Sequence, residues 1–243
     1  MARRELLQLL ADGDFHAAED VAAALGSSES DVEQDLGWFH EIGLDVNFDT
    51  DKGCRLDGAI DLLDEGTIQG HLQNSVRPLL SQLIIADVID STNAELMRRL
   101  ESDPKIRGLV CTAEQQSAGR GRRGRQWVSP YAGNIYLSLA WNFESGAAAL
   151  EGLSLAVGVA VQRALSELEF KGIRLKWPND LLCGDSKLGG ILIEMVGSAT
   201  GPCSAVVGIG INVNMPPSAA TGIDQSWIDL RAMSSSALVR RNE

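Results

Sequence analysis

The sequence predicts an α+β protein in two parts, a small helical N-terminal unit closed by a hairpin and a larger domain built on a mixed sheet. Three observations predict it. Apolar residues recur at helical spacing through the first forty or so positions, whereas strand-like and helical runs alternate from residue 83 onward. Charge divides the same way: residues 1–65 hold 4 basic and 17 acidic side chains, a net of −13, and residues 66–243 hold 17 basic and 16 acidic, a net of +1. Finally, Gly119–Arg125 packs four arginines and three glycines between two segments that read as strands.

The elements follow in order. Leu6, Leu7, Leu9 and Leu10 mark a first helix. A second runs from Ala17 to Leu25 and is stopped by Gly26. Ser28 caps a third, from Glu29 to Ile42, closed by Gly43. The runs Leu44–Phe48 and Gly53–Leu56 flank Asp49-Thr50-Asp51-Lys52, a hairpin signal. Three helices and a β-wing form a winged helix-turn-helix pattern, expected over residues 1–65. The third helix would enter a major groove, yet it carries Glu29, Asp31, Glu33, Asp35 and Glu41 and no lysine or arginine. Affinity for a duplex comes largely from neutralising phosphates with basic side chains. Operator DNA is therefore disfavoured as a partner, and the charges read as a solvated face.

Residues 66–82 read as a connector, polar from His71 to Pro78. The domain expected over 83–243 begins with a strand, Leu83–Val88. Thr92-Asn93-Ala94-Glu95 resembles a capping box opening a helix to Leu100. Leu109–Ala113 and Asn134–Trp141 are strands, and Leu150–Glu169 is a long amphipathic helix. Ile173–Lys176 and Asp180–Cys183 are short strands with a tight turn at Gly184-Asp185-Ser186. Gly190–Val196 and Ala205–Val213 pair across a turn from Gly197 to Pro202. Helices are expected on one side of the resulting sheet.

Composition excludes several classes. Cys54, Cys111, Cys183 and Cys203 lie far apart with no C-x-x-C pair, which suits reduced thiols in a cytoplasm rather than a disulfide frame or zinc site. The N-terminus lacks a signal-peptide pattern, and the longest apolar stretch, Leu153–Val161, is too short to span a bilayer, so no membrane is expected. No Gly-x-x-x-x-Gly-Lys-Ser/Thr motif exists, so a P-loop is excluded. His16, His40 and His71 all lie outside the motif-bearing region.

The arginine run carries the chemistry. Glycines permit close approach and positive φ, and arginines present planar forks of donors that fit carboxylate and phosphate oxygens. Alone, such a run suits either an anion-binding loop or a basic nucleic-acid arm. Suspended between strands, it is an active-site arrangement more often than a tail.

Ala113–Arg125 resembles the signature of the biotin protein ligases. Three further stretches agree with that family in order: Asp90-Ser91-Thr92-Asn93, then Lys176–Asp180 with Lys187–Glu194, then Gly208–Asn214. The resemblance covers roughly residues 83–230 and extends more weakly to the N-terminal part, which is similar to the repressor domain of the bifunctional members. It implies a class II synthetase-like mixed-sheet fold and a two-step reaction. Biotin and ATP give biotinoyl-5′-AMP and pyrophosphate, and a lysine of a biotin carboxyl carrier protein then takes the biotin. ATP implies Mg²⁺, and no carboxylate cluster in the sequence defines a protein-built metal site.

By resemblance, Ser91, Thr92, Asn93 and Gln116 bind the ureido ring, and Gly190 allows its close approach. Lys187 contacts the biotin carboxylate and the α-phosphate. Arg120, Gly121 and Arg122 hold the biotin carboxyl side and the adenylate phosphate, and Arg122, Arg123 and Arg125 the nucleotide phosphates. Asp180 orients or deprotonates the incoming lysine, for which an Asx-turn carboxylate is the plain alternative. Asn179 and Asn212 surround the nucleotide, Trp127 covers the closed loop, and Trp227 stacks on adenine or fills the core. The resemblance also implies a homodimer through sheet edges. It implies a further helix and small β-barrel domain that these 243 residues do not contain. A lipoate ligase-like acyltransferase is the nearest rival, but it carries a histidine in its glycine-rich segment and residues 119–125 have none.

Overall fold

The computed structural model describes residues 2–144, 146, 150–197, 201–234 and 238–243. The chain divides into two compact units, Met1–Leu62 and Leu63–Glu243. The first contains α1 (Ala2–Leu10), α2 (Ala18–Leu25), α3 (Glu29–Glu41) and the antiparallel hairpin β1 (Val46–Asp49) and β2 (Gly53–Leu56). Leu6, Leu7, Leu10, Val21, Val32, Leu36 and Phe39 are buried, as helical spacing requires of a three-helix core. Gly26 ends α2 in the left-handed conformation, φ 61°. Ser28 caps α3 reciprocally: its hydroxyl accepts from the Asp31 N–H at 3.2 Å, and the Asp31 carboxylate accepts from the Ser28 N–H at 3.1 Å. His16 adds a single-residue bridge to β2 of the wing by exchanging two 2.9 Å backbone bonds with Cys54. A side chain at Gly53 would place its Cβ 1.9 Å from the His16 carbonyl oxygen, so this close approach needs glycine. Glu29, Asp31, Glu33 and Glu41 of α3 are exposed, while Asp35 pairs with Arg3 at 2.9 Å.

The second unit opens with α4 (Glu65–His71), where Asp64 caps by accepting from the Thr67 N–H at 2.7 Å. A short 3-10 turn follows at Arg77–Leu79, so the stretch expected as plain connector carries local structure. Seven strands then form one sheet: β3 (Gln82–Ile89), β4 (Leu109–Gln116), β5 (Asn134–Phe143), β6 (Ile173–Lys176), β7 (Asp180–Cys183), β8 (Ser186–Gly197) and β9 (Cys203–Asn212). Their order is β3-β4-β5-β9-β8-β7-β6; β3 and β4 are parallel and the other neighbours antiparallel. The crossover between the parallel pair is α5 (Thr92–Ser102), and α6 (Leu153–Glu167) connects β5 to β6. The turn expected at Gly197–Pro202 includes residues 198–200, which lie outside the described ones.

Two expectations are corrected here. Helices cover both faces of the sheet rather than one. Leu96 and Leu100 of α5 pack with Ala140 and Val206, whereas Leu165 of α6 packs with Ile191 and Ile211. Val206 and Ile211 are five residues apart on the unbroken strand β9 and so face opposite ways. The reason is compositional: β9 is apolar at nearly every position and needs cover on each side. Second, the cap of α5 is Ser91, not Thr92, with its Oγ 3.5 Å from the Ala94 N–H. With Ala94 at the third helical position no reciprocal box forms, and Glu95 instead pairs with Arg98 and Arg99, each at 2.8 Å.

Both ends of this unit converge on Glu114, which is fully buried in β4. Its carboxylate pairs with Arg241 and accepts the Leu63 N–H at 2.7 Å. Arg241 also donates to the Asn134 carbonyl at 3.1 Å. These partners satisfy a charge that would otherwise be costly to bury, and they anchor the strand from which the arginine loop departs.

Candidate active site

The end of β3 and the start of α5 build the floor of a pocket. Ser91, Thr92 and Asn93 are all buried there. Asp90 fixes their entry: its carboxylate takes two bonds from Arg98, at 2.7 and 3.0 Å, and accepts the Ser91 N–H at 2.7 Å. The Arg98 guanidinium holds the Asp90 carboxyl down at about 2. Gln116, ending β4, accepts the Thr92 N–H at 2.9 Å, and its amide nitrogen donates to Ser129 Oγ at 3.1 Å.

The arginine loop is folded rather than loose. Ser117 and Ala118 donate to the carbonyls of Ile89 and Asp90 at 2.8 and 2.9 Å. Gly121 N–H reaches Arg125 O at 2.8 Å, and Trp127 N–H reaches Gly119 O at 2.9 Å, closing the loop on itself. At Gly119 an added Cβ would lie 2.4 Å from the Trp127 carbonyl oxygen, so the crossing point admits no side chain. Arg123 adopts φ 58° at the tip. Arg122 reaches across to Asn179 Oδ1 at 3.0 Å, and Asn179 in turn donates to the Ile191 carbonyl at 3.1 Å. The peptide before Pro178 is cis.

Lys187 sits early in β8 with its Nζ 2.9 Å from Asp180 Oδ1 of β7, and both side chains are largely buried. Three hollows meet at this ammonium, and Trp127 lines all three with it. The first is lined by Ser91, Thr92, Asn93, Gln116, Arg120 and Gly190, together with Gly121 and Arg122. The second holds Arg125, Asn212 and Trp227. The third holds Arg123, Asn179 and Asp180. The residues expected in a site therefore share one locality. Asn212 is buried and donates to the carbonyls of Lys187 and Ile228, at 3.3 and 3.1 Å, which pins the Trp227 segment beside β8. The Trp127 ring lies over Gly190 and Gly210; a Cβ at Gly210 would come within 2.6 Å of it. Its Nε1 is buried against Gly210 without a hydrogen-bond partner.

Three polar groups escaped the reading of the sequence. Ser138 of β5 contacts Asn93 Oδ1 at 2.6 Å and Thr92 Oγ1 at 2.8 Å. Ser129 accepts from Gln116. Glu194 of β8 pairs with Arg120 at 2.8 Å and accepts from Asn93 Nδ2 at 2.8 Å. A signal existed for two of them. Asn134, Tyr136 and Ser138 put polar atoms at every second place of an apolar strand, and Glu194 interrupts the apolar run from Leu188.

Chemically, the arrangement offers a polar cleft for a neutral hydrogen-bonding group, a cation at its mouth, and further cations and an aromatic ring beyond. The family model described as biotin/lipoate A/B protein ligase matches residues 85–214. The bifunctional ligase/repressor BirA of Salmonella typhimurium is 40% identical over 227 residues, covering 93% of this chain and 68% of that protein. The biotin–[acetyl-CoA-carboxylase] ligase of Paracoccus denitrificans is 42% identical over 133 residues, covering 54% of each. Among solved structures, the biotin protein ligase of Aquifex aeolicus in complex with biotin and ATP superposes with a TM-score of 0.52 at 32% identity, covering 66% of this chain and 64% of that one. The chain thus spans from half to two thirds of the length of these relatives.

Proposed function

This chain belongs to the biotin/lipoate A/B protein ligase family, and from that premise we propose that it is an ATP-dependent biotin protein ligase. The observation that carries the reading is that Lys187 lines three adjoining hollows, the first bearing the hydroxyls and amides of Ser91, Thr92, Asn93 and Gln116, and each bearing at least one arginine. The reaction must bring two anions together, the biotin carboxylate and the α-phosphate of ATP. A positive charge held in place at their meeting point lowers that barrier.

In this reading the ureido group lies among Ser91, Thr92, Asn93 and Gln116, and the carboxylate reaches Lys187 and Arg120. The carboxylate oxygen attacks the α-phosphorus, and pyrophosphate leaves toward Arg122, Arg123 and Arg125. Mg²⁺ enters with ATP as part of that substrate. Trp227 and Trp127 flank the second hollow, where adenine stacks. Asn212 serves the nucleotide indirectly, by holding the Trp227 segment. In the second step the acceptor lysine attacks the mixed anhydride and AMP leaves. Asp180, 2.9 Å from Lys187, orients the incoming amine and takes up its proton. Gly121 and Gly190 let backbone approach the ligand closely.

The acceptor is a carrier domain of a biotin-dependent carboxylase, consistent with the carboxylase named for the Paracoccus relative. A lipoate-type substrate fits less well. Its acyl chain offers no partners to a buried floor of hydroxyls and amides, which would be left unpaired. Relatives named ligase/repressor raise operator binding as a second role, but the exposed acids of α3 oppose it. Among the described residues no helix is long and apolar enough to cross a membrane.

Incubation with biotin, MgATP and a biotin acceptor domain tests the proposal through the acceptor's mass. One added biotinoyl group, abolished in Lys187→Ala, is the expected result. An unlabelled acceptor together with no biotin-dependent rise in Tm would refute it.

A further inference from the structure

We infer that Glu194 is a positioning residue that ties the arginine loop to the floor of the pocket. Its place in the strand is the first argument. Gly190, Leu192 and Glu194 alternate along β8, so they share the face that carries the pocket. A carboxylate in this largely buried position needs partners, and it has two on different elements. Oε2 accepts from Asn93 Nδ2 at 2.8 Å, and Oε1 pairs with Arg120 Nη2 at 2.8 Å.

The second argument is continuity. An ionised carboxylate only accepts, so it fixes which way the Asn93 amide points. Asn93 Oδ1 then faces Ser138 Oγ at 2.6 Å, and Ser138 meets Thr92 at 2.8 Å. Thr92 N–H bonds Gln116 Oε1, the Gln116 amide nitrogen bonds Ser129, and Ser129 donates to the Trp127 carbonyl at 2.9 Å. The chain of bonds leaves the loop at Arg120, crosses the polar floor, and returns to the loop at Trp127. Floor and loop are therefore ordered together, by Glu194 at one end and Ser129 at the other.

The consequence concerns binding. A glycine-rich loop bearing four arginines loses much backbone and side-chain freedom when it closes on a ligand. A tether present before binding removes part of that cost and raises affinity. Glu194→Gln keeps the volume but puts an N–H where an oxygen accepts, so one of the two contacts is lost. Arg120→Gln removes the same tether from the loop side.

The full ligand-free chain is digested briefly with trypsin, and cleavage after Arg122, Arg123 and Arg125, sites that all the variants keep, is compared with cleavage after Lys52 in the N-terminal hairpin. Glu194→Gln is expected to speed loop cleavage about tenfold and leave the Lys52 rate unchanged. The acceptor assay, which rests on the ligase reading, is expected to show KM for biotin up about tenfold and KM for ATP changed far less. Arg120→Gln should reproduce the loop cleavage, and the double variant should add nothing to it. Wild-type loop cleavage in Glu194→Gln, or faster cleavage with an unchanged biotin KM, overturns the assignment. A general rise in cleavage, Lys52 included, would mean a structural role and also overturns it. An unlabelled acceptor with the wild-type chain would remove the ligase reading instead, and the cleavage comparison would still decide the tether.

Discussion

The two units place their decisive charges in opposite ways. The N-terminal unit has the helices and wing of a DNA reader, yet α3 presents Glu29, Asp31, Glu33 and Glu41 to solvent. The second unit lines one pocket with Arg120, Arg122 and Lys187, beside the hydroxyls and amides of Ser91, Thr92, Asn93 and Gln116 and apolar side chains such as Leu137 and Ile209. In both, the backbone follows from buried apolar residues, and those residues are silent about ligand. What a unit binds is set by the few charged side chains its fold leaves facing outward or inward. Shape and charge agree in the second unit and conflict in the first.

The largest effect that sharpens this comparison is at Lys187. Lys187→Ala should lower the rate of biotinoyl-adenylate formation by about 10³-fold, the scale of losing one fixed charge at a developing anion, with the fold retained. Pyrophosphate release with biotin and ATP alone measures it. Next is the conflict in the first unit. The chain should bind a random duplex more weakly than ~10⁻⁴ M at physiological salt, below the usual non-specific range. Replacing Glu33, Gln34 and Glu41 with lysine should bring binding into the micromolar range at low salt and make it fall steeply as salt rises, as fluorescence anisotropy would report. These three positions are exposed and leave the Ser28–Asp31 cap intact.

A smaller effect is expected beneath Trp127. Gly210→Ala puts a methyl within 2.6 Å of the indole and must displace the ring. Affinity for biotin with ATP should drop about tenfold, the loss typical of a disturbed binding surface, and the tryptophan emission should shift. The smallest effect is acid-dependent. Asp90 is held at about 2 by Arg98, below its ordinary value of 3.8. A depressed carboxyl contributes stability that is present above the ordinary value and lost as pH falls through the folded one. The Tm deficit of Asp90→Asn should therefore be constant above about pH 4 and shrink toward pH 2. Because this pair is half exposed, the deficit should be modest.

Much of this was legible beforehand because it rests on local rules. The short strands Ile173–Lys176 and Asp180–Cys183 have the bounds read from alternation and turn residues. The Ser28 cap and the Gly26 stop follow from side-chain chemistry at helix ends. Ser91, Thr92, Asn93, Gln116, Arg120 and Lys187 could be named because they fall in short motifs that resemble those of the biotin protein ligases. The helices on both faces of the sheet were not legible, since alternation tells that a strand has two faces but not what covers each. Nor was the Ser91 cap distinguishable from a Thr92 one, since both hydroxyls satisfy the same pattern.

The sequence by itself determined most of the helices and strands, though not the helix in the connector, together with the charge division between the units and the run of arginines. Those depend on neighbours within a few positions, where backbone geometry allows few choices. Only the tertiary structure decided that Glu194 meets both Arg120 and Asn93, that Ser138 joins Asn93 to Thr92, and that Glu114 binds Arg241 at the far end of the chain. Hydrogen bonds of this kind join residues 45 to 127 positions apart. Their partners are chosen by strand order and register, which are properties of the packed sheet and not of any segment within it.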